Sequence, residues 1–300
     1  MEKGRKNYDV LMRLASRNDV EIIGTVRTCT SDKSFLIGTG SNGTCVHLGI
    51  EHNENPVAVK RILIETEDRL QSVYKEIQLL DLLKSKRSKH IVSYRQFMLG
   101  KPFSYIIIDL CEESLTDSLT DFFKRNSKNY LENKGPEIIR ETLSGLLALH
   151  SGKKILHMDL KPENILVDSH GHMRLADFGI SKLLGNNQTT IKTGSKGTPG
   201  WMAAESLPHD GEREGRFKRK SDIQVAGMVS FHVLTKGGHA FGDMYRRTSN
   251  IMDGKPVNLK MLTDASARDF VEYLIQHDPK KRPGAKEALQ HPFLQPNAGK

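Results

Sequence analysis

Residues 157–164 read His157-Met158-Asp159-Leu160-Lys161-Pro162-Glu163-Asn164. They place a carboxylate, a cation and an amide at short fixed offsets, on a segment that Pro162 keeps out of helix. Phosphoryl transfer uses such a set. Asp159 can take a proton from an attacking hydroxyl, Lys161 can neutralise charge on the moving group, and Asn164 can hold a metal ion. An Asp-x-Lys on a solvated loop is also an ordinary surface salt bridge, so the elements around this stretch must decide its meaning.

Those elements begin at a glycine turn. Residues 37–46 carry Gly38, Gly40 and Gly43, which let backbone N–H groups approach phosphate oxygens with no Cβ in the way. Alone, such a turn reads equally well as a strained hairpin. No helical pattern follows it, which disfavours a dinucleotide-binding turn. The chain instead continues as strands over 45–50 and 57–62, with Lys60 in mid-run between apolar neighbours. An unpaired ammonium there is costly and needs a carboxylate. Helical spacing over 67–84 (Leu70, Val73, Ile77, Leu80, Leu83) sets Glu76 beside its apolar stripe and makes it the favoured partner. Glu65 and Glu67 are the alternatives, nearer the helix start.

Further strands are expected at 20–26, 34–37, 90–97 and 103–110. Residues 1–20, with a weak helical pattern at Val10, Leu11 and Leu14, read as a loosely held extension. After Cys111 the pattern turns helical. Pro136 suits a helix start, and the helix it opens delivers the chain to residues 157–164. A short hairpin over 165–176 ends in Asp177-Phe178-Gly179, where the Asp can reach a metal and Phe178 is an anchor. Residues 180–200 hold Gly, Ser, Thr and Lys with no acidic residue, as in a mobile loop that binds or accepts phosphate. Its hydroxyls are Ser181, Thr189, Thr190, Thr193, Ser195 and Thr198. Trp201 marks a docked return to the core. A buried helix is expected over 223–234, with Asp222 as its N-cap or as a tether for the catalytic stretch. Arg282 is a candidate partner for Glu205, and the basic run 213–220 reads as a loop.

The chain has 300 residues, 37% apolar and 27% charged, which makes it globular. No apolar run approaches the roughly 18 residues of a membrane span, and the charged start lacks a signal-peptide core. Cys29, Cys45 and Cys111 show no metal spacing, so reduced thiols and a cytoplasmic location are expected. The formal charge of +9 favours anionic partners such as nucleotides or acidic proteins, although a generally basic surface explains it equally well. No basic-aromatic ladder is present, so a nucleic-acid partner is not expected.

Taken in order, these motifs resemble the eukaryotic protein kinase family over residues 35–293. Lys161 with Thr198 resembles its serine/threonine subgroup. Val57-Ala58-Val59-Lys60-Arg61-Ile62-Leu63, Ile108-Asp109-Leu110-Cys111, Gly197-Thr198-Pro199-Gly200-Trp201-Met202-Ala203, Ser221-Asp222-Ile223 and Gly238-His239-Ala240-Phe241-Gly242 are similar to the kinase half of the inositol-requiring kinase/endoribonuclease and RNase L family. Arg282-Pro283 and His291-Pro292-Phe293 fit that likeness too. Those proteins carry a ribonuclease domain after this point and only residues 294–300 remain here. Neither ribonuclease activity nor a membrane location is therefore expected to carry over.

The resemblance implies an α+β bilobal kinase-like fold. A small antiparallel β-sheet N-lobe with one main helix (31–110) would precede a larger, mainly helical C-lobe (111–294), flanked by an extension (1–30) and a tail (295–300). It implies ATP and Mg2+ as cofactors and a protein substrate. Ile37, Gly38, Thr39, Gly40, Ser41, Asn42, Gly43 and Val46 would cover the nucleotide. Lys60, held by Glu76, would grip its phosphates. Ile108, Asp109 and Cys111 would meet the adenine edge, with Ala58 and Leu166 about the ring. Asn164 and Asp177 would hold the metal, Asp159 would act as base, and Lys161 would stabilise the transferring group. Dimers and self-phosphorylation in trans are further implications. Two departures stand out. Met158 replaces the arginine that normally receives an activation-loop phosphate, and Ala204 replaces a proline ahead of Glu205. The rival reading is a nucleotide-binding pseudokinase or scaffold acting on a partner.

Overall fold

The computed structural model describes residues 6–40, 43–84, 88–124, 128–152, 154–194, 196–208 and 212–295. The chain divides into two units, one of residues 1–87, 92–112 and 167–171 and one of 88–91, 113–166 and 172–300.

The first unit is a sheet with two helices. Helix α1 (Tyr8–Ser16) is followed by strands β1 (Glu21–Ile23), β2 (Val26–Thr28), β3 (Leu36–Thr39), β4 (Cys45–Glu51) and β5 (Pro56–Leu63). Helix α2 (Glu67–Lys84) then precedes β6 (Tyr94–Met98) and β7 (Phe103–Asp109). The sheet runs β1-β2-β4-β5-β7-β6, with β3 also paired to β4. The expected single run over 20–26 is instead a hairpin, because Gly24 takes φ +61° and turns the chain between Ile23 and Val26. The strand expected from residue 90 begins at Tyr94.

Alternation along β5 gives the sheet two apolar faces. Val57 and Val59 pack with Ile23, Val26 and Ile107. Ala58 packs with Leu48, Ile50, Leu110, Phe35 and Cys29, and Leu11 and Leu14 of α1 complete that cluster. Both leucines are fully buried. The extension read as loosely held is thus anchored at α1: two leucines three residues apart meet an apolar sheet face, and each buried leucine is worth about 1.5–3 kcal/mol.

The second unit is mainly helical. Strand β8 (Glu113–Ser114) leads to α3 (Leu115–Lys124) and α4 (Lys128–His150). There follow β9 (Ile155–Leu156), β10 (Ile165–Val167), β11 (Met173–Leu175), β12 (Lys182–Leu183), β13 (Ile191–Gly194) and β14 (Glu214–Phe217). Helices α5 (Arg219–Leu234), α6 (Arg247–Met252), α7 (Ala265–Ile275) and α8 (Ala285–Ala288) complete it. Pro136 lies inside α4 rather than at its start. Burial of Ile138, Ile139, Leu143, Leu146 and Leu149 holds the helix against the roughly 3 kcal/mol an internal proline costs. Helix α5 is buried on all sides, as an all-round apolar helix should be. A Cβ on Gly227 would lie 2.5 Å from Ile275, so glycine there lets α5 approach α7 closely. The basic run 213–220 is not a loop: it forms β14 and the first turn of α5. Residues 180–200 are likewise partly ordered, with β12 paired to β9 and β13 to β14. Backbone pairing does there what the local composition gives no hint of. Among the described residues no helix is long and apolar enough to cross a membrane.

Candidate functional site

In the first unit the glycine turn is a hairpin between β3 and β4. The Gly40 amide donates to the Thr44 carbonyl at 2.8 Å, and Gly43 takes φ +70°, a left-handed conformation that suits glycine. Ile37 and Thr39 are exposed on β3, and Gly38 pairs with Val46. Ser41 and Asn42 lie outside the described residues. Strand β5 pairs Lys60 with Val46 on one side and Ile106 on the other. The Lys60 ammonium reaches Glu76 Oε1 at 2.6 Å, with side chains 15% and 9% exposed. Of the three candidate carboxylates, the one beside the apolar stripe of α2 is the partner. Glu67 instead accepts from Gln71 one turn on.

Val46 and Ile108 pack against the cluster that contains Ala58, so three of the residues assigned to the nucleotide share one apolar surface. Asp109, next along, donates its amide to the Ser93 carbonyl. Its carboxylate accepts from Arg95 Nε at 2.7 Å, while Arg95 Nη1 reaches Glu51 at 2.6 Å. Burial works to lower the Arg95 pKa, but Asp109 and Glu51 outweigh it and raise the value. Nothing in the local spacing points to Arg95, whose partners lie 14 and 44 residues away.

In the second unit residues 157–164 hang from one buried carboxylate. Asp222 accepts from the His157 amide at 3.0 Å, the Met158 amide at 3.1 Å and His150 Nε2 at 2.8 Å. Burial alone would raise its pKa; the His150 hydrogen bond and the other donors reverse that and lower it. Asp222 is therefore the tether and not the cap, since α5 begins three residues earlier. Met158 takes φ +68°, which an unbranched apolar residue rarely does, and the Asp222 contact to its amide holds that strained conformation in place. Its side chain is buried. His157 is fully buried, its ring lies tilted 5.3 Å from that of Phe178, and its Nε2 contacts the Ala176 carbonyl at 3.1 Å. Burial holds its pKa low, against the opposing pull of Asp222.

The three chemical groups meet as expected. Lys161 Nζ donates to the Thr198 hydroxyl at 2.7 Å, and that hydroxyl donates to Asp159 Oδ1 at 2.8 Å. Lys161 lies 3.5 Å from Asp159 Oδ2. The Asn164 amide nitrogen donates to the Asp159 carbonyl at 2.8 Å and to Oδ2 at 3.1 Å. Pro162 opens a single 3₁₀ turn, Pro162–Asn164, which puts Asn164 back over Asp159. Asp177 is exposed and takes φ +59°, beside buried Phe178. Leu166 is half-buried on β10.

Around this centre the candidate hydroxyls divide. Ser181 is buried and donates to the His157 carbonyl at 2.8 Å, and Thr193 is buried on β13. Ser195 lies outside the described residues. Trp201 is docked, edge-on to His232 and His239. Burial, then Arg247, pushes the His239 pKa down to about 3. Glu205 and the buried Arg282 pair bidentately at 2.8 and 2.9 Å. His150 and Ser181 are supports that sequence reasoning did not identify. A separate trio, Glu137, Glu141 and His172, gathers its donor atoms within 4.8 Å. Glu141, however, is occupied by His172 and by the Met173 amide, so it ties α4 to β11.

The donor set suits a hard cation. With the Asn164 amide nitrogen engaged by Asp159, its oxygen is the atom on offer, and Asp177 adds a carboxylate; Mg2+ favours such all-oxygen ligation.

Comparison with known proteins agrees with this geometry. The model of the protein kinase domain matches residues 32–294. The human serine/threonine-protein kinase/endoribonuclease IRE2 is 35% identical over 298 residues, covering 92% of this chain and 30% of that protein. The rice (Oryza sativa subsp. japonica) serine/threonine-protein kinase/endoribonuclease IRE1 is 33% identical, covering 86% of this chain and 30% of its own length. The Schizosaccharomyces pombe sensor for unfolded proteins in the ER, ire1, is 32% identical, with 86% and 26% covered. The chain thus spans less than a third of the length of these relatives. A kinase-domain match across nearly the whole chain shows that this protein belongs to the protein kinase domain family.

Proposed function

We propose that this chain transfers the γ-phosphoryl group of Mg-ATP to serine or threonine hydroxyls of a protein substrate, its own among them. The observation that carries the reading is the chain of donors Lys161 to Thr198 to Asp159, with Asn164 fixing the same carboxylate. Asp159 accepts the proton of the attacking hydroxyl, and Asn164 holds it in orientation. Lys161 stands where charge develops on the transferring group. Lys60, fixed by Glu76, grips the nucleotide phosphates, and the glycine hairpin offers them backbone amides. Ala58, Val46 and Ile108 supply an apolar surface for the base, while Asp109 and Cys111 present the backbone groups that meet its edge. Mg2+, when bound by Asn164 and Asp177, neutralises phosphate charge.

Buried Met158 supports a second element of this reading: control does not run through an arginine that receives an activation-loop phosphate. Strand β13, already paired to β14, orders part of that segment without one. The names of the relatives support a role in signalling from the unfolded-protein stress response. The family resemblance implies a second copy of the chain as substrate in trans. A pseudokinase role is less well supported, because Lys60, Asp159, Asn164 and Asp177 are all present.

Transfer of labelled phosphate from Mg-ATP, to the chain itself and to a generic basic protein, tests the reading. Asp159→Asn should lower the rate about 10²- to 10⁴-fold, the usual worth of a general base, with nucleotide binding retained. Nucleotide binding with no transfer that depends on Asp159 would leave the pseudokinase reading standing instead.

A further inference from the structure

Helix α2 touches the nucleotide-side machinery twice. Its better-known contact is Glu76 to Lys60. The other lies seven residues earlier, two turns up the same helix face. There Arg69 Nη2 donates to the Thr44 hydroxyl at 3.0 Å. Arg69 is set at the helix start by Thr66, whose hydroxyl accepts the Arg69 amide at 3.2 Å. Thr44 is the residue immediately after Gly43 and is buried. Its carbonyl takes the Gly40 amide and closes the glycine hairpin. A Cβ placed on Gly40 would lie 3.3 Å from the Thr44 Cβ, so Thr44 also packs beneath the turn. Arg69 Nε is buried and hydrogen-bonded to none of the described residues. The contact to Thr44 keeps its positive charge beside the glycine turn.

We infer that Arg69 is a positioning residue for the nucleotide: a strut from α2 that fixes the height of the glycine hairpin through Thr44 and adds positive field beside it. The inference rests on the reading of that hairpin as a phosphate cover. Through Arg69 and Glu76 one rigid helix sets both the hairpin and the phosphate-gripping lysine. A displacement of α2 therefore changes both together.

Two measurements on Arg69→Met, Thr44→Val, Arg69→Lys and the double variant Arg69→Met/Thr44→Val test it. The first is hydrogen exchange at the Gly40 amide in the nucleotide-free chain. The second is steady-state phosphotransfer with Mg-ATP and a protein substrate. A hydrogen bond from a charged donor sets the scale, so Arg69→Met should speed Gly40 exchange and raise the KM for ATP roughly five- to tenfold. The kcat and the KM for the protein substrate should stay within about twofold. Arg69→Lys, which keeps a charged donor, should lie closer to wild type. The double variant should be no worse than Arg69→Met, because both changes remove one contact. Unchanged Gly40 exchange in Arg69→Met overturns the strut. Faster exchange with an unchanged KM for ATP overturns the link to the nucleotide. If the wild-type chain binds no Mg-ATP, the phosphotransfer reading falls, and the exchange data alone then decide whether the strut exists.

Discussion

The two units hold their chemical groups by different means. In the first, the long Lys60 side chain meets Glu76 in one largely buried ion pair at 2.6 Å. The glycine hairpin is closed by one amide and steadied by one arginine. In the second, a single buried carboxylate, Asp222, takes three donors and suspends a strained backbone turn from the core. The first arrangement rests on single contacts made by flexible side chains, each of which can part without displacing backbone. The second cannot, because every displaced donor is left unsatisfied in a dry interior. Under the proposed function, the contrast suits a nucleotide that enters and leaves and a general base that is held still.

The contrast can be broken by substitution. The largest expected loss is from Asp222→Ala, which orphans two buried amides and His150. It should destabilise the second unit by about 3–5 kcal/mol in denaturant unfolding and abolish transfer. A loss under about 1 kcal/mol would mean that the suspension is not what holds residues 157–164. Leu14→Ala should cost the first unit about 3 kcal/mol if α1 is part of its core. Amide exchange confined to α1, with β4 and β5 unaffected, would show instead that α1 is dispensable.

Acid should weigh more on the second unit than on the first, where burial lowers the pKa of His47. His157, His232 and His239 in the second unit all have pKa values lowered below 6.5 by burial first. The unfolded chain thus binds protons that the folded one refuses. Their contribution is complete above about pH 6.5 and is lost as pH falls through that value toward the folded pKa values, about 3 for His239. Stability should drop by up to about 1.4 kcal/mol per pH unit for each such histidine. His239→Gln should flatten that dependence, as read from unfolding midpoints between pH 7 and 5. The smallest stability change is expected from Glu76→Gln, about 1 kcal/mol. Its effect on transfer, about tenfold through the KM for ATP, should be the larger signal. Equal losses of stability in Glu76→Gln and Asp222→Ala would erase the distinction between the units.

Much of the candidate site was legible because its chemistry is local in sequence. Asp159, Lys161 and Asn164 lie within six residues, and one 3₁₀ turn joins them. The choice of Glu76 for Lys60 followed from helical periodicity alone, since the stripe of α2 fixes which residues face the sheet. Other features could not be read that way. From the residues alone Thr198 is one hydroxyl among several; the family resemblance pairs it with Lys161, and only the fold brings it between Lys161 and Asp159. Arg95 joins Glu51 and Asp109 on strands far apart in sequence. The strand pairing of residues 191–194 depends on β14, whose own basic sequence resembles a loop.

By itself, then, the sequence determined the family, the order of the chemical groups and the periodicities that build each element, because these depend on residue type and short spacing. Tertiary structure decided which contacts anchor them. Asp222 became a tether, not a cap, because the amides of His157 and Met158 arrive from 65 and 64 residues away. Helix α1 became core because an apolar sheet face stands open to Leu11 and Leu14. Burial and long-range hydrogen bonding set such outcomes, and neither is a property of a local stretch of chain.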